Sequence, residues 1–263
     1  MALNVGRVGP ATDLIPLSEQ MANHDEYQPD ITDRLAGHTL NLRFADGTAL
    51  TATFESAQRL TWSTSTDLEG RREGTEAYEA VALRRGIVLV VVARLELRVS
   101  ALAIVDLDHD RVVINLTRLV DNGTGGMKED TRFLQAGINQ KLTVPFPQTT
   151  ELVGKRVHHR YSSTHAFEHI YLNEKTYAYQ GLEGPEAGVA DVDLTDTLKI
   201  ADELYLFSWH ERAQPFNGAI ALDLAKGRAC GRLFGWDKHA GAARQIRTGS
   251  IATLLNVTSY EGL

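Results

Sequence analysis

The stretch LAGHTLNLRFADGTALTATFESAQRLTW at residues 35–62 is matched without a gap by LVGKRVHHRYSSTHAFEHIYLNEKTYAY at residues 152–179. The offset of 117 residues aligns Gly37 with Gly154 and an aromatic residue at the end of one stretch with an aromatic residue at the end of the other. Chance seldom keeps such a register over so long a stretch. The match therefore predicts that the chain contains two copies of one module.

The same offset returns further along the chain, where IVDLDHDR (104–111) matches ALDLAKGR (221–228). A duplicated module spanning both matches sets the expected division of the chain. We expect an N-terminal arm at 1–30, a first barrel at 31–120, a linker at 121–147 and a second barrel at 148–263.

Each copy has the pattern of β-structure. The segment TLNLRFADGTALTATF (39–54) contains two alternating runs around Asp46-Gly47, which is a typical hairpin turn pair. The segment RVHHRYSSTHAFEHIYLN (156–173) repeats this plan with a Ser-Ser-Thr turn. Short strands, regular turns and glycines at strand ends predict an all-β fold, a small antiparallel barrel or sandwich in each copy.

Composition narrows the class of protein. The 263 residues carry a net charge of −7 without a basic stripe, which argues against a nucleic-acid partner. The single cysteine, Cys230, excludes an intrachain disulfide and a Cys-rich metal site. The N-terminus lacks a signal-peptide pattern, and the longest apolar run, GIVLVVVARLELRV (86–99), is interrupted by Arg94 and Glu96. We therefore expect a cytoplasmic protein with no membrane partner.

The stretch YLFSWHERAQPFNGAIALDL at 205–224 carries the main candidate for chemistry. Strand alternation places Phe207, Trp209 and Glu211 on one face. A carboxylate buried there without a partner costs several kcal/mol. One interpretation is that Glu211 is a titratable group inside a ligand cavity, and the other is that it lies at the strand end and pairs with Arg212 or Arg228.

The same alternation predicts the other wall residues of the second barrel. A cavity lined by Tyr, His and Trp with one Glu has the composition of a small-molecule site. Glu211, Tyr161 and His159 are the catalytic candidates. The expected substrate contacts on the aromatic face are Trp209, Tyr179, Tyr177, Tyr171, His169, Phe167 and His165.

The first copy is less polar at the corresponding positions. Leu42 and Phe44 stand where the second copy has His159 and Tyr161. The nearest counterpart of Glu211 is Glu96, at an offset of 115, which requires a small gap. We expect the first copy to be a scaffold or to contain a separate apolar pocket.

Three motifs give the whole chain a family resemblance: LAGHTLNLRFADG (35–47), YEAV (78–81) and ADELYLFSWHE (201–211). With these motifs the chain resembles the MoaF family of two-domain, lipocalin-like proteins over about residues 31–260. The resemblance implies two tandem antiparallel lipocalin-like (calycin) β-barrels. No motif suited to a pterin or to molybdenum is present, so we expect no cofactor.

The second copy also resembles the phenolic acid decarboxylases, which are single-barrel calycins. Its SWHE (208–211) matches their SWTE motif, and this resemblance makes Glu211 the proton donor to an alkene carbon. Tyr161 and Tyr179 match two of their tyrosines, while His159 replaces a third.

One position departs from the decarboxylase pattern. In those enzymes an arginine that fixes the substrate follows an Ala-Gly pair, whereas here Val189 follows Ala187-Gly188. A valine cannot bind an anion, so decarboxylation of hydroxycinnamates is not implied. Val189 remains a candidate substrate contact.

Three functional hypotheses stay open at the level of sequence. The first is a cofactor-independent lyase, isomerase or cyclase acting on a small aromatic or conjugated molecule. The second is a non-catalytic carrier of an apolar ligand. The third is a metal site for Fe(II) or Zn formed by His159, His169 and Glu211. The oligomeric state is also open, a homodimer included.

Overall fold

The computed structural model describes residues 16–20, 22–68 and 71–259. Residues 1–15 and 21 of the expected arm, and 260–263 of the expected second barrel, lie outside the described part. Nearly all regular structure is β, apart from helix α1 (Leu17–Gln20) and a 3-10 helix at Leu95–Leu97. The strands are β1 Thr39–Phe44, β2 Ala49–Phe54, β3 Arg59–Leu68, β4 Arg71–Ala77, β5 Glu79–Arg84, β6 Ile87–Arg94, β7 Val99–Asp106, β8 Arg111–Asp121, β9 Met127–Ile138, β10 Lys155–Arg160, β11 Ala166–Tyr171, β12 Thr176–Glu183, β13 Ala190–Ala201, β14 Leu204–His210, β15 Phe216–Asp223, β16 Arg228–Asp237 and β17 Ala242–Val257.

Strands β10 to β17 form a closed barrel in which each strand pairs antiparallel with the next. The barrel closes where β10 pairs with β17, with Lys155 opposite Val257. Strands β1 to β9 form a second antiparallel sheet, in the order β4-β3-β2-β1-β9-β8-β7-β6-β5, which is barrel-like. The expected fold of two tandem antiparallel β-barrels is therefore confirmed.

The strand boundaries confirm the sequence repeat. Strands β7 and β15 have the same bounds at an offset of 117 residues, and so do β2 and β11. The long strand β13 corresponds to β4 and β5 together, which are separated at Tyr78. Tyr78 is 2% exposed, packs its ring against Phe54 at 4.9 Å and donates its hydroxyl to the carbonyl oxygen of Ser56 at 2.6 Å. These contacts hold Tyr78 at the point where the first copy is divided into β4 and β5.

The range 121–147, for which we expect a linker, contains strand β9. This strand pairs antiparallel with β1, with Leu42 opposite Ile138. The glycine-rich start of the range forms the turn between β8 and β9, where Gly123 and Gly125 adopt positive φ angles that glycine tolerates best. The apolar half buries Ala136 and Ile138, which explains why it joins the sheet instead of staying a free connection.

The chain folds into two compact units. One contains the described residues of Pro29–Arg118 and Asp130–Phe146, and the other contains the described residues up to Gln28, Leu119–Glu129 and residues 147–259. The described part of the expected arm up to Gln28 thus belongs to the second of these units. Among the described residues, no helix has the length and apolar character needed to cross a membrane.

Phe207 on β14 lies at the centre of the core of the closed barrel. Its side chain is fully buried, and its ring centroid lies 5.0 Å from that of Tyr171, 5.0 Å from that of Tyr177 and 5.6 Å from that of Trp209. These contacts make the interior of the barrel an aromatic cluster.

We predict that Phe207→Ala lowers the free energy of unfolding by about 3–5 kcal/mol, because it removes a buried ring and leaves a cavity. The matched control is Leu194→Ala, whose side chain is 55% exposed and whose effect should stay within about 0.5 kcal/mol. Equilibrium denaturation in urea, followed by tryptophan fluorescence, measures both. Equal effects of the two substitutions would contradict the central position of Phe207.

Candidate functional site

A cavity of about 60 Å³ lies within the closed barrel. This volume holds about four water molecules if each needs about 15 Å³. Its wall combines aromatic rings with two carboxyl groups and a few other side chains: Gln20, His24, Tyr161, Phe167, His169, Tyr177, Tyr179, Glu186, Trp209, Glu211, Phe216 and Leu233.

The central ring of the wall, Trp209, is positioned by its strand partner. Trp209 on β14 lies opposite Gly218 on β15. A Cβ atom at position 218 would overlap the indole, so glycine is required for the ring to lie flat over the neighbouring strand. The indole also stacks on Phe207 with ring centroids 5.6 Å apart.

Glu211 directly follows the last residue of β14. Its backbone N–H donates to the carbonyl oxygen of Phe216 at 3.1 Å, which continues the strand pairing and keeps the side chain on the face of Trp209. The hydroxyl of Tyr179 donates to Oε1 of Glu211 at 3.4 Å. Among the described residues, no arginine, lysine or histidine nitrogen lies within 4.0 Å of this carboxylate. The alternative in which Glu211 pairs with Arg212 or Arg228 is therefore not observed.

One buried polar atom of the wall, Nδ1 of His169, has no hydrogen-bond partner among the described residues. The His169 side chain is 3% exposed. Buried polar groups are nearly always hydrogen-bonded to protein, water or a ligand. This nitrogen is therefore available to a molecule in the cavity.

Two domain models of one family match the chain. Residues 146–258 match the MoaF C-terminal domain, and residues 13–121 match the MoaF N-terminal domain. The chain belongs to the MoaF family. Protein MoaF of Klebsiella aerogenes is 41% identical over 119 residues, a stretch that covers 44% of this chain and 45% of that relative.

A solved structure, that of a putative beta-lactamase from Burkholderia vietnamiensis, is also similar to this MoaF-family chain. It is 18% identical, with a TM-score of 0.34, and covers 43% of this chain and 100% of its own. A similarity this weak supports no argument about either the fold or the function.

The acidic groups of the MoaF-family cavity influence one another. Burial raises the pKa of Glu211 well above its usual value, and the nearby carboxylates of Asp193 and Glu186 raise this pKa further, against the hydrogen bond from Tyr179. Burial raises the pKa of Glu186 to about 7 and that of Asp193 to about 6. These effects favour the protonated form of Glu211, which is the form that can act as an acid.

Two ring groups of the wall, those of His169 and Tyr161, are neutral. Burial lowers the pKa of His169 to about 3, so its imidazole is uncharged at neutral pH. Burial also raises the pKa of Tyr161, so its phenol keeps the proton. At these two positions a bound molecule therefore meets hydrogen-bonding groups without a positive charge.

Four of the expected site residues do not line the cavity. His159 lies behind the wall, where its ring is 4.3 Å from that of His169 and its Nδ1 bonds to Oγ of Ser250 at 3.0 Å. Tyr171 packs deeper in the core, against Phe207. The other two lie in connecting segments: the Nδ1 of His165 bonds to Thr164, and Val189 bonds through its backbone to Gly181 and Glu186.

The cavity brings together the remaining expected residues and adds others that the sequence reasoning missed. The expected members that line it are Glu211, Tyr161, Trp209, Tyr179, Tyr177, His169 and Phe167. The missed members are Gln20, His24, Glu186, Phe216 and Leu233. Alternation along β15 and β16 could have indicated Phe216 and Leu233, whereas nothing local in the sequence indicates the other three.

The N-terminal segment covers one side of this cavity. The ring of His24 lies 4.7 Å from that of Tyr161, and Oε1 of Gln20 accepts a hydrogen bond of 2.6 Å from Gln214. Glu26 accepts hydrogen bonds from both the backbone N–H and the hydroxyl of Ser163. The expected arm is thus part of the wall of the site.

The residues of the alternative metal site do not form a ligand set. His159 and His169 face each other, but the described part of the chain contains no group of three His, Cys, Asp or Glu side chains arranged to hold a metal ion. Glu211 instead contacts Tyr179. This geometry does not support the metal interpretation.

We predict that Glu211→Gln stabilises the protein increasingly as the pH rises. Below the unfolded-state pKa of 4.5, both states hold the proton. Above it, the unfolded chain ionises while the folded chain keeps the proton, so the wild type loses stability relative to the variant until the folded-state pKa is reached. The difference should increase as the pH rises above 5 and level off once the folded-state pKa is reached, measured by urea denaturation between pH 5 and 8.

The control for this prediction is Glu183→Gln. Hydrogen bonds from Arg160 hold the pKa of this exposed carboxyl below its usual value of 4.5. Glu183 is therefore ionised in both the folded and the unfolded state above pH 5, and the difference in stability between wild type and Glu183→Gln should stay constant between pH 5 and 8. A difference between wild type and Glu211→Gln that stays constant with pH would show that Glu211 is not a buried, protonated acid.

Proposed function

We propose that the C-terminal barrel of this MoaF-family protein is a cofactor-independent lyase, isomerase or cyclase. Its substrate is a small aromatic or conjugated molecule, and Glu211 is the general acid and base. The observation that carries the proposal is the carboxyl group of Glu211 inside an aromatic wall, bonded to Tyr179 at 3.4 Å. General acid–base catalysis of this kind typically contributes about a hundred- to ten-thousand-fold in rate.

The proton moves between Glu211 and a carbon of the substrate. Because burial and the neighbouring carboxylates favour the protonated form of Glu211, its first step is donation of that proton to an electron-rich carbon of the bound molecule. The hydrogen bond from Tyr179 then stabilises the carboxylate that forms. Removal of a proton from a neighbouring position of the substrate restores the acid, which completes an isomerisation or cyclisation without a cofactor.

Polar groups of the wall orient the substrate in this proposal. Nδ1 of His169, which has no partner among the described residues, offers a donor or an acceptor according to its tautomer, and the lining residues Tyr161 and Tyr177 carry hydroxyl groups. Flat rings such as Trp209 and Phe167 form the sides of the cavity and favour a planar molecule.

The charge of the wall favours a neutral substrate. The described residues that line the cavity include Glu186 and Glu211 but no lysine or arginine. A carboxylate placed beside these groups would lose its hydration without gaining a cation. This preference agrees with Val189 at the position where the phenolic acid decarboxylases have an arginine.

The volume of about 60 Å³ is small for an aromatic ring with a side chain. Drug-sized ligands occupy pockets of about 300–1,000 Å³. In this proposal His24 and Gln20, which belong to the N-terminal segment, move away from the wall when the substrate enters. The substrate itself is then close in size to a single substituted ring.

We predict that Glu211→Gln abolishes turnover and preserves the fold, because the amide is isosteric but cannot donate an acidic proton. Ultraviolet spectroscopy with coumarate, ferulate and their neutral methyl esters and amides measures turnover, with the neutral compounds expected to react faster. Tyr161→Phe should reduce the rate by a smaller factor. Glu183→Gln, on the exposed surface, is the matched control and should retain full activity.

Equal rates for the wild type and Glu211→Gln on a compound that the wild type converts would refute the catalytic role. Saturable binding of these compounds without turnover, unchanged in Glu211→Gln, would instead identify the barrel as a carrier. Native mass spectrometry of the purified protein provides the binding measurement.

A further inference from the structure

The N-terminal unit contains a second cavity, larger than the first, with a volume of about 220 Å³. Its wall is formed by strands β1 to β4 and β6 to β8, and all but two of the described residues that line it are apolar. The two exceptions are Glu76 and Arg94. An apolar cavity with few polar groups is the usual form of a small-molecule site.

This cavity occupies the corresponding place in the first copy of the repeat. The offset of 117 residues relates two of its wall positions to wall positions of the C-terminal cavity, Trp62 to Tyr179 and Arg94 to Glu211. It relates Glu76 to Asp193, which does not line that cavity. The assignment of Glu96 as the counterpart of Glu211, which the sequence suggested, is wrong. Glu96 lies in the 3-10 helix at Leu95–Leu97, and its side chain is 72% exposed.

Smaller side chains account for the larger volume. At the same offset, aliphatic residues of the first copy replace rings of the second. The replaced positions are Ala52 for His169, Leu60 for Tyr177, Val92 for Trp209 and Val99 for Phe216. The same module therefore encloses an aliphatic space where the other copy encloses an aromatic one.

The polar end of the cavity is organised by one ion pair. Nε of Arg94 on β6 lies 3.3 Å from Oε1 of Glu76 on β4, and both side chains are 14% exposed. Trp62 donates its indole N–H to the same oxygen at 3.2 Å. Strands β4 and β6 are not paired by ladder hydrogen bonds in the described sheet, so this cluster joins them by side chains.

The guanidinium of Arg94 keeps unused donors. Its ion-pair contacts in the described chain, to Glu76 at 3.3 Å and to Glu96 at 3.8 Å, are both made by Nε and not by the two terminal nitrogens. An arginine has five N–H donors and no acceptor capacity. Donors held at the rim of an apolar cavity can bind an oxygen atom of a molecule inside it.

We propose that the N-terminal cavity binds a compact aliphatic molecule that carries one neutral oxygen acceptor, such as a ketone, an ester or a lactone. The aliphatic wall encloses the hydrocarbon part, and the terminal nitrogens of Arg94 donate to the oxygen. An anion is disfavoured, because Glu76 already balances the charge of Arg94 and would repel a second carboxylate. This binding is independent of the chemistry proposed for the C-terminal barrel.

Isothermal titration of the full chain at pH 7 with 2-nonanone tests the proposal, with nonanoate as the anionic comparison. We expect saturable binding of 2-nonanone and weaker binding of nonanoate. Arg94→Met should weaken the binding of 2-nonanone about tenfold, because it removes a hydrogen bond from a charged donor. Arg59→Met, which changes an exposed arginine of the same unit, is the matched control and should have no effect.

Two further variants separate loss of binding from loss of folding. Glu76→Gln combined with Arg94→Met removes the ion pair without leaving an unbalanced buried charge, and it should show the same tenfold loss. Ala52→Phe with Val92→Phe fills the cavity with rings, as His169 and Trp209 do in the other copy, and it should abolish binding. Circular dichroism confirms that each variant is folded.

The proposal is overturned if 2-nonanone does not bind, or if it binds equally well to the cavity-filled variant. Tighter binding of nonanoate than of 2-nonanone would also overturn it, since a neutral acceptor would then not be the preferred group. Unchanged affinity in both folded variants that lack Arg94 would exclude the hydrogen bond on which the ligand class depends.

Discussion

The closed ladder of the C-terminal barrel is the constraint on which its interior depends. Strand β14 is hydrogen-bonded along its length to β13 on one side and to β15 on the other. Side chains alternate between the two faces, so a slip by one residue would turn every inward residue outward. The register therefore holds Phe207, Trp209 and the following Glu211 toward the interior, and the aromatic cluster around Phe207 makes any other register unfavourable.

The strand register also explains how the carboxyl group of Glu211 is kept in an apolar environment. A carboxyl group on a flexible loop would turn toward water, because burial without a partner is costly. Glu211 is held by backbone pairing with Phe216 and by the strand that precedes it. Burial and the neighbouring acids then favour its protonated form, which is the form that can donate a proton.

The two copies use one architecture for two different interiors. Bulky rings leave a small cavity in one barrel, whereas alanine, valine and leucine at the corresponding positions leave a larger one in the other. The change from Glu211 to Arg94 at one repeat position exchanges an acid for a set of hydrogen-bond donors. Wall substitutions of this kind leave the backbone plan intact, because they change side-chain volume and charge without changing the strand pattern.

Much of this arrangement could be predicted from the sequence, because its signals are local or periodic. Repeated motifs at a constant offset indicated the two modules, and the hairpins around Asp46-Gly47 and at 156–173 followed from alternation and turn residues. Alternation also placed Trp209 and Glu211 on a common face with Phe207. Family motifs agreed with the two barrels that the structure contains.

The remaining features depend on contacts between residues far apart in the chain. Strand β9 joins β1, His24 covers Tyr161 and Glu186 enters the wall only because the folded backbone brings these distant segments together. His159 was expected in the wall but lies one layer behind it, since alternation selects a face and not a depth. The sequence by itself thus determined the fold, the repeat and the inward faces, while tertiary packing decided which inward groups meet in a cavity, because volume and proximity are properties of the closed barrel and not of any single strand.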